Sequence, residues 1–208
     1  MLHALSPIRT GIHRSEQLES RGATVIQETP ELDFFKRLPT TWDETRVLDG
    51  YPGSHAAMAG LATSGTLTHW FRDQMARDLP RETAFAALAA EADASLPGAK
   101  GLIVLPYFSG ERTPIHDPLA KGTIFGMNLT HMRGDLYRAT LEGIACATRA
   151  ITDTYRAAGQ APARVRAVGG GTKNLPWLQA TSDLTGLGQT LCRVTTGAAY
   201  GDAFLAAQ

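Results

Sequence analysis

Three consecutive glycines, Gly169-Gly170-Gly171, place the tightest constraint on how this chain can fold. With no Cβ at three neighbouring positions, the backbone can turn through conformations closed to other residues, and another molecule can approach it closely. The stretch before them, Arg164-Val165-Arg166-Ala167-Val168, stops dead at the first glycine, and Val165 and Val168 give it a short-strand signal. Beyond Thr172-Lys173, Asn174 is a good N-cap and Pro176 suits a first helical turn. Trp177, Ala180, Thr181 and Leu184 then fall at i, i+3, i+4 and i+7 before Gly186 closes the helix. The pattern therefore predicts strand, glycine turn, helix, with a positive helix end facing the turn. Such an end offers backbone N–H groups and partial positive charge, which suit nucleotide phosphates or a ribose-adenine edge. Steric packing alone also produces glycine-rich turns between strand and helix, so both readings stand on this stretch.

Two familiar phosphate-binding patterns fit poorly. A P-loop requires Gly-x4-Gly-Lys-Ser/Thr, and Gly171 followed by Thr172-Lys173-Asn174 does not supply it. A dinucleotide fingerprint requires a third glycine where Asn174 stands and a carboxylate after the next strand, which ends Arg193-Val194-Thr195.

The 208 residues suffice for one well-cored domain or two small ones, and 43% hydrophobic with 19% charged residues is the balance of an ordinary soluble globule. Twenty basic and twenty acidic side chains cancel, which excludes a general electrostatic pull toward nucleic acid or acidic membranes. No apolar run approaches a membrane span, and Met1-Leu2-His3-Ala4-Leu5-Ser6-Pro7 lacks the layout of a secretory signal, so a cytoplasmic protein is expected. Cys146 and Cys192 read as buried free thiols rather than a disulfide or metal pair. The six His residues lack ligand spacing, so no metal held by protein side chains alone is expected.

Residues 1–49 read as a polar, irregular segment with one helix near 15–20 and a brief strand at 23–27. Its carboxylates Glu28, Glu31, Asp33, Asp43 and Glu44 read as solvated surface acids. The turn-rich Gly50-Tyr51-Pro52-Gly53 then opens a domain spanning 50–208. In it, 54–62 is expected as a strand, and Thr63-Ser64-Gly65 opens a helix striped by Leu67, Trp70, Phe71 and Met75. That opening is either an anion-facing helix end or an ordinary cap. A scaffold helix at 82–94 carries Phe85, Leu88 and Ala92 on one face. The continuous apolar run Gly101-Leu102-Ile103-Val104-Leu105-Pro106 predicts a central parallel strand buried on both faces. Tyr107-Phe108-Ser109-Gly110-Glu111-Arg112-Thr113-Pro114 lies beyond its carboxyl end, where ligands sit in open α/β sheets. Glu111 and Arg112 are expected to form an ion pair that pins this loop, with direct substrate contact as the alternative. A strand at 121–129 follows. A long helix at 135–158 comes next, striped by Tyr137, Leu141, Ile144, Thr148, Ile151 and Tyr155 and capped by Gly159. Glu142 on it reads as a structural acid. A strand at 189–194 and a small-residue helix at 195–207 complete an alternation that predicts an α/β fold with a largely parallel sheet.

Gly169-Gly170-Gly171-Thr172-Lys173-Asn174, with Trp177-Leu178-Gln179 and Ser182-Asp183-Leu184-Thr185-Gly186, resembles the adenosine-binding turn in the second domain of FGGY-type carbohydrate kinases. Ala62 to Asp73, Ser-Gly-Glu-Arg-Thr-Pro at 109–114, Leu141-Glu142-Gly143 and the closing Gly-Ala-Ala helix are similar to the same family, closest to its xylulose kinase branch. The resemblance covers roughly 48–207. It implies a ribonuclease-H-like, actin-like ATPase lobe with a mostly parallel sheet flanked by helices. It implies ATP with Mg as cofactors and a sugar, expected to be a ketopentose such as xylulose, as the phosphoryl acceptor. It places Gly170, Gly171 and Asn174, with Thr172 as an additional contact, around the adenosine, Gly65 at the phosphates, and His69, one turn later, in contact with the nucleotide. The family's catalytic Asp lies upstream of the matching region and has no counterpart here, so no catalytic residue is assigned. The expectation is a nucleotide-binding lobe inactive alone, either a homodimer or paired with an N-terminal lobe, with a non-catalytic nucleotide- or partner-binding remnant as the alternative.

Overall fold

The computed structural model describes residues 18–20, 28–29, 55–56 and 59–191. The architecture is organised on α3 (Arg133–Ala157), reached after β1 (Leu18–Ser20), β2 (Glu28–Thr29), β3 (His55–Ala56), α1 (Gly65–Met75), α2 (Ala84–Ala94), β4 (Ile103–Leu105) and β5 (Thr123–Phe125). Beyond α3 come β6 (Val165–Ala167), α4 (Leu175–Thr185) and β7 (Gln189–Leu191).

All six stripe residues expected on α3 are buried: Tyr137, Leu141, Ile144, Thr148, Ile151 and Tyr155. Three neighbouring clusters share this helix. Ile144, Ile151 and Tyr155 meet Leu67 of α1. Tyr137 and Leu141 meet Phe71 and Leu88 of α1 and α2, and Ala139 meets Val104 of β4. Burying one such Leu or Ile is worth about 1.5–3 kcal/mol. The ion pairs along α3, such as Arg149 with the half-exposed Asp153 at 2.5 Å, are worth at most about 1 kcal/mol each. Apolar burial therefore fixes the helix. Its contact with β4 is close: a Cβ at Gly143 would collide with the Val104 carbonyl, so only glycine lets helix and strand meet here. Gly159 at φ 82° ends the helix region in the left-handed conformation, as expected.

Parallel β6 and β7 are joined through α4, a crossover unit that delivers the glycine turn to the carboxyl end of β6. The other described strand pairs, β1 with β7, β2 with β3 and β4 with β5, are antiparallel, so the largely parallel sheet is not what the described residues show. β4 corrects the reading of a central, doubly buried strand. It pairs Ile103 with Phe125 and Leu105 with Thr123 in β5, buries Val104, and leaves Ile103 and Leu105 56% and 43% exposed. A loop, rather than a helix, joins β4 to β5, and an antiparallel pair needs no crossover helix. The helix expected near 15–20 is also corrected, since Leu18–Ser20 is a strand held in register by β7. Among the described residues of the strand expected over 54–62, His55–Ala56 pairs and 59–62 is irregular. On α1 the stripe holds at Leu67 and Phe71, but Met75 is exposed and Ala76 takes the buried place beyond it. Cys146 is exposed on α3 rather than buried. The strand expected at 23–27, the helix at 195–207, residues 192–194 of the strand read at 189–194 and Cys192 lie outside the described residues. Among the described residues no helix is long and apolar enough to cross a membrane.

The start of α3 is fastened by Asp135. Its buried carboxylate accepts from Lys100 Nζ at 2.8 Å, Ser95 Oγ at 2.7 Å and the Met132 N–H at 2.8 Å. Led by the Lys100 bond, these partners outweigh burial and hold its pKa down to about 2. A carboxyl depressed below its unfolded value of about 4 contributes stability that is present above that pH and lost as pH falls toward 2. Asp135→Asn is expected to lower the melting temperature at pH 7 by on the order of 5 °C, with the gap to wild type closing between about pH 4 and pH 2. Thermal unfolding by circular dichroism across that range checks it, and a gap independent of pH would refute the assignment.

Candidate functional site

The turn after β6 shows why its three glycines are not equivalent. Gly169 has φ 90°, a conformation that side-chain-bearing residues rarely adopt. At Gly171 a Cβ would lie 3.0 Å from the Trp177 ring, so this glycine makes room for the indole. Gly170 has neither constraint: its φ is not positive, it is exposed, and a Cβ there would meet nothing within 4 Å. Gly170–Lys173 forms a 3-10 turn in which Thr172 donates from its N–H and its hydroxyl to the Gly169 carbonyl, at 3.2 and 2.7 Å. The Thr172 hydroxyl proton is thereby committed, which leaves its oxygen only as an acceptor.

Asn174 then caps α4 as expected. Its Oδ1 accepts from the Trp177 N–H at 3.2 Å, and Nδ2 donates to the Tyr137 hydroxyl at 3.3 Å. Both ends of the amide thus hold the turn in place. Burial pushes the Tyr137 pKa up to about 12, against the smaller opposing effect of the Asn174 bond, so the phenol stays protonated at neutral pH.

The second expected element is the start of α1. Gly65 is the first residue of the helix, a Cβ there would meet nothing within 4 Å, and no acidic side chain lies in the first turn. The N–H groups of this turn are among those that a helix cannot satisfy internally. The Thr68 hydroxyl folds back to the Gly65 carbonyl at 2.7 Å, and the Thr63 hydroxyl donates to the carbonyl of Pro106 just beyond β4. His69 stands four residues on from Gly65, exposed, with its ring edge on Phe85 at 5.0 Å.

The two helix starts share one support. Leu67, in the first turn of α1, lies in the cluster against which Trp177 of α4 packs. Phe71 of α1 meets the ring of Tyr137 at 4.9 Å, and Tyr137 accepts from Asn174. The first turn of α4 also carries no acidic residue. A separate cavity of about 340 Å³, lined by Arg72, Asp73, Ala76, Arg77, Leu79 and Arg81, lies at the other end of α1.

Glu111 departs from the expected pairing with the Arg112 side chain. Its Oε1 accepts from the backbone N–H groups of Ala62 at 3.1 Å and Arg112 at 2.7 Å. Thr113, which the sequence reading passed over, bonds to Gly60 on the same stretch. Position at a strand's carboxyl end marked the loop, but nothing in its composition told which backbone it would hold. Glu142 is structural as expected, accepting from the Gly98 N–H and Arg138 Nε.

The separation of the three glycines is testable without a ligand. Gly170→Ala and Gly65→Ala are expected to leave stability within about 0.5 kcal/mol of wild type or slightly above it. Gly171→Ala, which presses on the Trp177 ring, should cost about 1 kcal/mol or more. Chemical denaturation of the three variants measures the difference, and an equal cost at Gly170 would show that the protein itself fills the space above it.

The model of the C-terminal domain of the FGGY family of carbohydrate kinases matches residues 27–208, beginning inside the segment read as irregular. Xylulose kinase of Bacillus subtilis is 34% identical over 158 residues, covering 76% of this chain and 31% of that protein. Among solved structures, xylulose kinase from Rhodospirillum rubrum aligns with a TM-score of 0.67 at 36% identity, covering 75% of this chain and 31% of its own. Plasmodium falciparum glycerol kinase with ADP aligns with a TM-score of 0.65 at 27% identity, covering 76% and 30%. The chain thus spans under a third of the length of these relatives. With a family match over residues 27–208 and relatives aligned over about three quarters of its length, the chain belongs to the FGGY family of carbohydrate kinases and carries its C-terminal domain.

Proposed function

We propose that this chain is the nucleotide-binding lobe of an ATP-dependent carbohydrate kinase whose acceptor is a ketopentose such as xylulose. The observation that carries the reading is the pair of open glycines. Gly65 and Gly170 are the two glycines of the site where an added Cβ would meet nothing within 4 Å and no positive φ demands glycine. Bare backbone at both leaves room for a ligand in close contact. In this reading adenosine lies on Gly170 with Gly171 and Thr172 beside it, while Asn174 keeps the turn in shape. The phosphates face the N–H groups at Gly65, with His69 one turn along the same side of the helix.

The residues fit the group. No acidic side chain stands in the first turn of α1 or α4 to repel phosphate. Among the described residues no group of three His, Cys, Asp or Glu side chains could hold a metal ion, so Mg in this reading arrives on the phosphates. When bound, the Mg-nucleotide supplies the phosphoryl group; the chain's own contribution is to bind and orient it. Xylulose kinases among the relatives and structural neighbours support the sugar class. The general base that takes the sugar hydroxyl proton belongs to a partner lobe, since none of the residues here matches the family's catalytic Asp. The domain proper is taken as 50–208, in a cytoplasmic protein, with a homodimer or pairing with an N-terminal lobe as the assembly.

Calorimetry on the 208-residue chain is expected to show ATP binding, weakened at least about tenfold by Gly170→Val, whose side chain occupies the bare backbone. The same preparation with xylulose is expected to release no sugar-dependent ADP. Absence of ATP binding would remove the reading, and robust sugar-dependent turnover would overturn the assignment of the base to another lobe.

A further inference from the structure

We infer that Glu111 and Thr113 form a backbone clamp that positions the phosphate-facing start of α1, so that the Ser-Gly-Glu-Arg-Thr-Pro loop acts on the nucleotide through Gly65 without touching it. The inference rests on the nucleotide reading of the preceding subsection and assigns new positioning residues to that site.

The stretch entering α1, 59–64, is neither strand nor helix, so its backbone N–H and C=O groups have no ladder to join and need other partners. The loop after β4 supplies them. Glu111 Oε1 accepts from the Ala62 N–H at 3.1 Å. Thr113 bonds Gly60 twice, donating its N–H to the Gly60 carbonyl at 3.2 Å and accepting the Gly60 N–H on its hydroxyl at 3.5 Å. The Thr63 hydroxyl donates to Pro106 at the base of the same loop. Three successive attachments, at Gly60, Ala62 and Thr63, therefore end two residues before Gly65.

The clamp is itself held. Glu111 Oε1 also accepts from the N–H of Arg112 at 2.7 Å, and the Glu111 N–H donates to the Asp117 carbonyl at 2.8 Å, closing the loop on itself. Glu111, Thr113 and Thr63 are 4%, 2% and 3% exposed. A carboxylate is a costly group to bury for packing alone, whereas its hydrogen bonds to backbone N–H groups are charge-assisted and stronger than neutral ones. Glu111 Oε2 is buried with no hydrogen-bond partner among the described residues, so the carboxylate is retained for what Oε1 does. A negative group would repel phosphate on direct contact, which makes Glu111 a positioning residue rather than a ligand-binding one.

The test separates the two halves of the nucleotide. Calorimetry with ADP and with adenosine is run on the 208-residue chain, its Glu111→Met variant, which keeps volume and removes both acceptors, and its Glu111→Gln variant, which keeps Oε1. Glu111→Met is expected to weaken ADP about tenfold and to change adenosine by less than about twofold. Glu111→Gln should restore ADP binding to within about threefold of wild type. Thr113→Val, which deletes one acceptor, should shift ADP in the same direction by a smaller factor, and it carries the comparison if Glu111→Met does not fold. Equal weakening of ADP and adenosine, or no weakening of either, overturns the clamp while leaving the nucleotide reading intact. Wild-type protein that binds ADP no more tightly than adenosine also overturns it, because the α1 start then contributes nothing. Wild-type protein that binds neither removes the nucleotide reading, and the clamp's role with it.

Discussion

Tyr137 is the residue on which the relation between α1 and the start of α4 depends. It is fully buried on α3, its ring packs on Phe71 of α1, and its hydroxyl accepts from the amide that caps α4. A buried phenol without that partner would cost about 1–3 kcal/mol, so the hydrogen bond fixes where Asn174 and the turn before it sit relative to the α3 surface. Through one side chain, the helix at the centre of the core sets the position of the glycine turn and supports the helix that begins at Gly65. The surrounding apolar burial makes α3 rigid enough to serve this purpose.

The elements legible in the sequence are those whose signals are local. The six-residue stripe of α3 and the Asn174 cap with Gly186 at the far end of α4 are found where the spacing put them, because caps and helical periodicity are written within one element. β4 departs from expectation because a continuous apolar run does not say whether both faces are covered. Val104 is buried against α3, yet Ile103 and Leu105 face outward beside Phe125. The strand at Leu18–Ser20 is hidden for the opposite reason: its pairing with β7 joins residues about 170 positions apart and leaves no trace in local composition. Around the candidate site, Gly65 and Gly170 stand out in the sequence as a helix start and a turn, whereas the backbone that Glu111 holds does not. A Glu-Arg neighbour pair suggests an ion pair, but the Glu111 carboxylate accepts from backbone N–H groups, that of Arg112 beside it and that of Ala62 forty-nine residues away.

The glycine turn shows how a motif can conceal several requirements. Gly169 answers to backbone conformation, Gly171 to the indole of Trp177, and Gly170 to neither. A run of three glycines therefore carries one position whose identity the protein's own packing leaves unexplained. The same elimination applies at Gly65, where alanine would suit a helix start better than glycine on propensity alone. Two unexplained glycines at two helix ends, both backed by the cluster that joins Leu67 to Trp177, are more informative than either motif taken alone.

The two ends are nevertheless held by different means. The turn before α4 is tied to the core by a neutral amide-phenol bond and by an indole seated over Gly171. The start of α1 is tied to a surface loop by a buried carboxylate and two threonines. The first attachment moves only if α3 moves, since Tyr137 has no exposed surface through which to yield. The second depends on a loop that closes on its own Asp117 carbonyl and leaves β4 at a sheet face only partly covered. A rigid half beside a half set by a loop is an arrangement in which the start of α1 can be adjusted while the turn before α4 stays fixed.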